Sequence, residues 1–239
     1  MRTPASLELL ERAFGGMEDM TGPPRLNQGE LADCFFVAAV NQVAATPAGE
    51  AHLRSLVQSL GDNLYEVIVH DKERPAHVVL QGPGPVGAAG DNELRVLERA
   101  AAVHYGVGAT DMVAGERDLY EQSALGRGGF PATAFSMLGL DAVELSAQDA
   151  LQAAARGDAD AVVIASRAVA PGSVEEAALN AYGLVPSHAY EYGGTRRDDA
   201  TGEELVSLRN PWGTGSPAPI PSEMVPRVLA SGTLGRLRR

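Results

Sequence analysis

The segment LNQGELADCFF, residues 26–36, joins a polar loop to an apolar stretch. Asp33 is typical of an N-cap, so we predict a helix over 34–45, which Thr46-Pro47 ends. Cys34, the only cysteine of the chain, would stand at the start of that helix. Because amide groups and the helix dipole lower the pKa of a thiol there, the segment predicts a reactive thiolate. The alternative is that Cys34 is a buried apolar residue, the usual role of a free cysteine.

Gln28 lies six positions before Cys34, beside Gly29. A side-chain amide at this spacing could reach back to the thiol and donate a hydrogen bond to the oxyanion that forms when sulfur attacks a carbonyl. The backbone N–H of Cys34 would be the second donor. Gly29 would leave room for a substrate, so the spacing favours a catalytic role for Cys34.

A cysteine nucleophile needs a base, and the base needs an orienting partner. His188 begins an alternating strand over 187–192, and a second alternating strand, 205–209, ends directly before Asn210. A hairpin would bring the Asn210 oxygen to one imidazole nitrogen and leave the other facing sulfur, while Trp212 covered the bond. The alternative is a surface histidine and an Asn-Pro turn. The order Cys, His, Asn, which is that of papain-like proteases, favours the catalytic interpretation.

Composition excludes several classes of function. The chain has 239 residues and a net charge of −12, which argues against general binding to nucleic acid or anionic lipid. The longest apolar stretch is too short to span a bilayer, so we expect no membrane insertion. A single cysteine and the lack of an apolar region after a basic start predict a cytoplasmic protein, or one exported without a classical signal peptide. Lys72 is the only lysine. Either a GC-rich genome or a role as a bacterial effector or toxin that avoids lysine modification would explain this.

Hydrophobic periodicity predicts helices near 7–14, 48–60, 93–105, 131–138 and 147–156, and strands at 65–69, 77–80, 161–166, 187–192 and 204–209. In the third helix the apolar face runs through Leu94, Leu97 and Ala101, and Glu98 is expected off it. The chain therefore predicts an α+β fold hinged near Gly128. Its expected parts are an N-terminal segment (1–24), a helical lobe with the nucleophile (25–128), and a β-rich lobe with the histidine and asparagine (129–239).

Three motifs together resemble the calpain family of papain-like cysteine proteases. Residues 28–34, QGELADC, resemble its Q-G-x-x-x-D-C nucleophile segment. Residues 187–190, SHAY, resemble its G-H-A-Y segment, and residues 209–213, RNPWG, are similar to its R-N-P-W-G segment. Weaker similarities lie at 93–100, which resembles the helix before the end of the first lobe, and at Gly128-Gly129, which resembles the link between lobes.

The resemblance implies a papain-like two-lobed fold with a cleft between the lobes. It assigns Cys34 as nucleophile, His188 as general base and acid, Asn210 as orienting residue and Gln28 as oxyanion donor. We therefore expect an endopeptidase that hydrolyses protein substrates through a thiolate–imidazolium pair and an acyl-enzyme, with Asp33 and Trp212 in supporting roles. The alternatives are a deamidase or acyl-transferase with the same triad, and a non-catalytic binding module of the same fold.

The chain departs from the family pattern at three points. Phe35 stands where the family usually has Trp, and Ser187 stands where Gly is common. After Gly213 the Trp- and acid-rich continuation that helps animal calpains bind calcium is missing. We therefore assign no metal ligand and expect no cofactor, although the resemblance leaves calcium open. The regulatory domains of large calpains are also missing, so the expectation is a protease core or a domain of a larger protein, with room for a regulatory or inhibitory protein partner.

Overall fold

The computed structural model describes residues 23–70, 74–84, 87–105, 123 and 125–238. Within them the fold is mixed α+β with antiparallel sheets, which confirms the predicted class. The helix predicted near 7–14 and almost all of the segment 1–24 lie outside the described residues. No helix of the described part is long and apolar enough to cross a membrane.

Seven α-helices and eleven strands fall within the described ranges. The helices are α1 Cys34–Ala44, α2 Pro47–Ser55, α3 Asn92–His104, α4 Pro131–Met137, α5 Ala147–Ala155, α6 Val174–Asn180 and α7 Val225–Val228, with a 3-10 turn at Ser222–Met224. The strands are β1 Leu26–Asn27, β2 Val57–Gly61, β3 Leu64–His70, β4 Pro75–Gln81, β5 Ala89–Gly90, β6 Leu140–Ser146, β7 Ala161–Ser166, β8 Ala189–Arg197, β9 Glu204–Arg209, β10 Ile220–Pro221 and β11 Leu229–Leu237.

A six-stranded sheet, in the order β10-β9-β8-β7-β11-β6, brings two predicted site residues to one end. Strands β8 and β9 are antiparallel neighbours, and Glu191 pairs with Arg209. His188 directly precedes β8 and Asn210 directly follows β9, so the register carries both residues to the same edge. A three-stranded sheet β2-β3-β4 and a short β1-β5 pair complete the strands described.

Helix α1 is the centre of the larger hydrophobic core. Every residue from Phe35 to Ala44 is buried, so the helix is covered on all sides. It packs against α2 and α4 and against β7 and β8 of the large sheet. Cys34, its first residue, is thereby held beside the beginning of β8.

The prediction of one helix over 48–60 is wrong in its second half. Helix α2 ends at Ser55, and residues 57–61 form β2, which pairs with β3. Asp62 and Asn63 connect these strands with φ of 49° and 60°. Two successive residues in the left-handed region favour a tight hairpin, and Asp and Asn tolerate this conformation. The turn therefore decides the structure of 57–61, despite the helical spacing of Leu53, Leu56 and Leu60.

A buried ionic cluster joins β1, α1 and β8. Glu191 is fully buried, and its Oε1 accepts hydrogen bonds from Arg25 and Asn41, both at 2.8 Å. Its Oε2 lies 3.5 Å from Nε of Arg209. Asn41 in addition accepts from the N–H of Leu26 and donates to its carbonyl oxygen. The carboxylate is therefore balanced by two guanidinium groups and by the helix that carries Cys34.

We expect Glu191→Ala to lower the free energy of unfolding by about 2 kcal/mol, because it leaves the buried Asn41 amide without its acceptor and removes the ion partner of the half-buried Arg25. Asp141→Ala, which removes an exposed ion pair with Arg238, is the matched control and should cost about 1 kcal/mol or less. Urea unfolding measures both. Equal losses in the two variants would contradict a structural role for the Glu191 cluster.

Candidate active site

Cys34 is half-buried, with its sulfur turned toward the start of β8. The backbone N–H of Ala189 lies at the thiol, as do the N–H groups of Phe35 and of Cys34 itself. Because Ala189 directly follows His188, the N-terminus of α1 and the histidine segment meet at the sulfur. No hydrogen bond joins the thiol to the His188 ring among the residues that the structure describes.

Burial raises the pKa of the Cys34 thiol above its ordinary value, and the Asp33 carboxylate acts in the same direction. The three neighbouring N–H groups act against this rise without cancelling it. The sequence predicted a lowered pKa from the helix start. Desolvation outweighs that effect here, because the thiol is packed between α1 and β8.

His188 is buried and bonded to Asn210 through Nε2, with 3.0 Å between Nε2 and Oδ1. The orientation of the Asn210 amide follows from two further bonds: Oδ1 also accepts from the Trp212 N–H at 3.2 Å, and Nδ2 donates to the Gly215 carbonyl at 3.3 Å. Since Oδ1 is an acceptor, Nε2 of His188 carries the proton. In the neutral ring Nδ1 is then the basic nitrogen.

Trp212 and Tyr190 enclose the imidazole of His188. The Trp212 ring centroid lies 5.0 Å from that of His188, and the Tyr190 ring meets it edge-on at 4.7 Å. Burial lowers the pKa of the imidazole below its ordinary value, while the hydrogen bond to Asn210 acts in the opposite direction. A raised thiol pKa and a lowered imidazole pKa both favour a neutral pair at rest.

Gln28 connects the nucleophile segment to the asparagine segment. Its backbone N–H donates to the carbonyl of Pro211 at 2.8 Å, and its side-chain Nε2 donates to the carbonyl of Leu31 at 2.5 Å. Gly213, with φ of 78°, passes so near that an added Cβ would lie 2.4 Å from Oδ1 of Asn27. The Gln28 side chain also lies against the Asp33 carboxyl, which acts to lower the pKa of that group.

Asp33 occupies the N-cap position of α1, but its side chain makes no capping hydrogen bond. It is fully buried together with both of its carboxyl oxygens, and the carboxyl lies against that of Glu98 on α3. Glu98 is also buried, whereas the sequence placed it off the apolar face. It lies four residues after Leu94 and three before Ala101, a spacing that puts it on the same side of the helix as these buried residues.

Sequence reasoning also missed two supports of His188: Ser166, and the edge-on contact of the Tyr190 ring with the imidazole. Ser166 Oγ accepts from the His188 N–H at 2.9 Å and donates to the Val185 carbonyl at 2.6 Å, which fixes the backbone at the histidine. Ser166 comes from β7, 22 residues earlier in the chain, and no local pattern marks it. Only the pairing of β7 with β8 brings it to the site.

Within the described ranges, no group of three or more His, Cys, Asp or Glu residues could hold a metal ion. Comparison with models of protein families finds no family that matches the chain, and comparison with curated proteins finds no matching relative.

Ser187 has φ of 54°, in the left-handed region that favours glycine. We expect Ser187→Gly to raise the free energy of unfolding by about 1 kcal/mol, because it removes this backbone strain. Ser173→Gly is the matched control: Ser173 caps α6 with φ of −77°, so its replacement should lower stability slightly. Thermal unfolding of both variants measures the difference. A loss of stability in Ser187→Gly would show that the serine side chain matters more than the strain.

The pH dependence of alkylation tests the charge state of Cys34, because no other thiol contributes. We expect the rate with iodoacetamide to keep rising above pH 8.5, about the ordinary thiol pKa, since burial and Asp33 raise the pKa in the folded chain. The same thiol in the urea-unfolded chain is the control and should titrate at lower pH. A plateau below neutral pH would indicate a preformed thiolate–imidazolium pair instead.

Proposed function

We propose that the chain is a calpain-like cysteine endopeptidase that hydrolyses protein substrates through Cys34, His188 and Asn210. The observation that carries the proposal is the bond of 3.0 Å between His188 Nε2 and Asn210 Oδ1. It leaves Nδ1 as the base, on a residue whose C-terminal neighbour presents its N–H to the Cys34 sulfur. His188 and Asn210 thus have the partners that their roles require, and Cys34 lies beside the histidine segment.

Because the Cys34 thiol and the His188 imidazole are both neutral at rest, the thiol proton is transferred while the sulfur attacks. As the Cys34 sulfur forms a bond to the substrate carbonyl carbon, its proton passes to Nδ1 of His188. Asn210 holds the ring and its Nε2 proton during the transfer. The imidazolium then protonates the leaving amine, the C–N bond breaks, and a thioester forms. His188 finally takes a proton from the water that attacks the thioester; the C–S bond then breaks, the acid leaves, and the imidazolium returns the proton to the Cys34 sulfur.

The oxyanion of each tetrahedral intermediate needs two donors aimed at one point. The Cys34 backbone N–H lies at the beginning of α1, where it has no acceptor within the helix. The second donor is the side-chain amide of Gln28, which donates to Leu31 at rest and turns to the oxyanion when substrate binds. The bond from the Gln28 backbone N–H to Pro211 holds its backbone in place, and such preorganisation stabilises a developing charge.

Three features of the fold bear on a papain-like two-lobed architecture. The buried apolar residues form two clusters: one surrounds α1 and α3 and also takes in residues of α4, β6 and β7, and the other lies around β8, β9 and α5. Gly129, in the predicted link between lobes, passes so near Phe35 that an added Cβ would lie 2.7 Å from its ring. The left-handed φ of Ser187 is also consistent with the glycine that the family has before its histidine.

A denatured protein, incubated with the purified chain and followed by mass spectrometry, tests the proposal. We expect cut chains with the wild type and none with Cys34→Ala. His188→Ala should lower kcat by roughly 10²–10⁴-fold, and Gln28→Ala by roughly 10²–10³-fold. His77→Ala is the matched control, because His77 is an exposed strand histidine that pairs with Glu66, and it should leave kcat unchanged.

The other outcomes separate the rivals. Cleavage by Cys34→Ala equal to that of the wild type would end the proposal. Intact substrate chains with a deamidation mass shift, or with a transferred acyl group, would assign the same triad to the alternative reactions. No change in substrate, together with ordinary thiol reactivity, would favour a binding module.

A further inference from the structure

Asp33 and Glu98 are two buried carboxyl groups in direct contact, one of them adjacent to the nucleophile. Their residues are 0% and 1% exposed. Neither carboxyl oxygen of Asp33 accepts a hydrogen bond from a donor in the described part of the chain. Both oxygens of Glu98 lie within hydrogen-bond distance of the Ala88 N–H, at 3.0 and 3.1 Å. A contact of this kind forms only if one of the two groups carries a proton.

The charges around the pair favour retention of that proton. Burial raises the pKa of Asp33 to about 6, and burial together with the Asp33 charge raises the pKa of Glu98 well above its ordinary value. Arg95, on the same helix as Glu98, acts in the opposite direction, but its guanidinium donates to the carbonyls of Ala88 and Gly84 and not to the pair. On the α1 side the facing ionisable group is the Cys34 thiol.

The pair is connected to both oxyanion donors. The Asp33 carbonyl accepts from Phe36 and Val37 and so closes the first turn of α1, which orients the Cys34 N–H. The Gln28 side chain lies against the Asp33 carboxyl. Glu98 is anchored on α3 and by Ala88, so it fixes the position that Asp33 can take.

We propose that Asp33 and Glu98 share one proton, and that this carboxyl–carboxylate hydrogen bond positions Gln28 and the N-terminus of α1 for oxyanion binding. The positioning role rests on the proposed peptidase function. When both groups ionise, their repulsion separates α3 from Asp33 and displaces the two donors. Asp33 and Glu98 are positioning residues, since neither contacts the substrate.

The sign of the pH dependence follows from linkage. Folding raises both pKa values, so above the ordinary carboxyl range the folded chain binds more protons than the unfolded chain. The stabilisation is therefore complete below the ordinary values and is lost as pH rises through the raised ones.

Glu98→Gln is the informative variant, because an amide of the same shape can donate to the Asp33 carboxylate at every pH. Its free energy of unfolding should fall less than that of the wild type as pH rises through about 6, the pKa of Asp33, and above it. Its kcat should match that of the wild type at acidic pH and persist to higher pH, with KM unchanged. Glu98→Ala should lower kcat by roughly 10²-fold at acidic pH, where the wild-type pair is intact, because the donors are misplaced, and the deficit should shrink as pH rises. Glu144→Gln, the same charge change at an exposed strand position, should alter neither profile.

Urea unfolding and the kcat–pH profile decide separate points. Parallel stability–pH curves for wild type and Glu98→Gln would overturn the shared proton. Different stability curves with parallel kcat profiles would overturn the positioning role and leave a structural pair. If the wild type has no peptidase activity, the proposed function is wrong and the positioning role with it. The unfolding curves would still decide whether Asp33 and Glu98 share a proton. If Glu98→Ala fails to fold, Glu98→Gln carries both readouts.

Discussion

The buried carboxylate of Glu191 holds together the three elements on which the site depends. Arg25 approaches it from the residue before β1, Asn41 from α1 and Arg209 from β9. Gln28 follows β1, Cys34 begins α1, and His188 precedes the strand that carries Glu191. A charge without water must have its partners in fixed positions, so the cluster sets the relative placement of these segments.

The two halves of the candidate triad are assembled to different degrees. The His188–Asn210 half is assembled: the bond is 3.0 Å long, the amide is oriented by two further bonds, and the rings of Trp212 and Tyr190 pack against the imidazole. The cysteine half holds a thiol whose environment favours the neutral form. A peptidase built in this way would activate sulfur during the reaction itself, so its rate would depend on how well the substrate excludes the remaining water.

Local pattern was sufficient for the elements whose own residues decide their structure. The apolar run after Cys34 predicted α1, and the short continuous apolar run at 161–166 predicted β7 with the same bounds. The site residues were found because each is part of a motif in a fixed chain order. Local pattern failed at β2, where a two-residue turn decided between helix and strand. It also gave no sign of β11, whose neighbours β6 and β7 lie far away in sequence.

The polar contacts behind the site were the least predictable part. Glu98 and Glu191 look like surface residues in the sequence, because the groups that make their burial tolerable come from other elements. Ser166 is likewise one serine among many until β7 pairs with β8. Burial of a charge is a property of the assembled partners, and a single sequence without them favours the solvated interpretation.

The central position of β11 has a consequence for how the molecule folds. Residues 229–237 pair on one side with β6 and on the other with β7, the strand that supplies Ser166 to the histidine segment. Until β11 has paired, β6 and β7 each present an open edge, and the pairing has to close a long loop of chain. The support that β7 gives to the histidine segment therefore depends on a contact of high sequence separation, which local structure alone does not form.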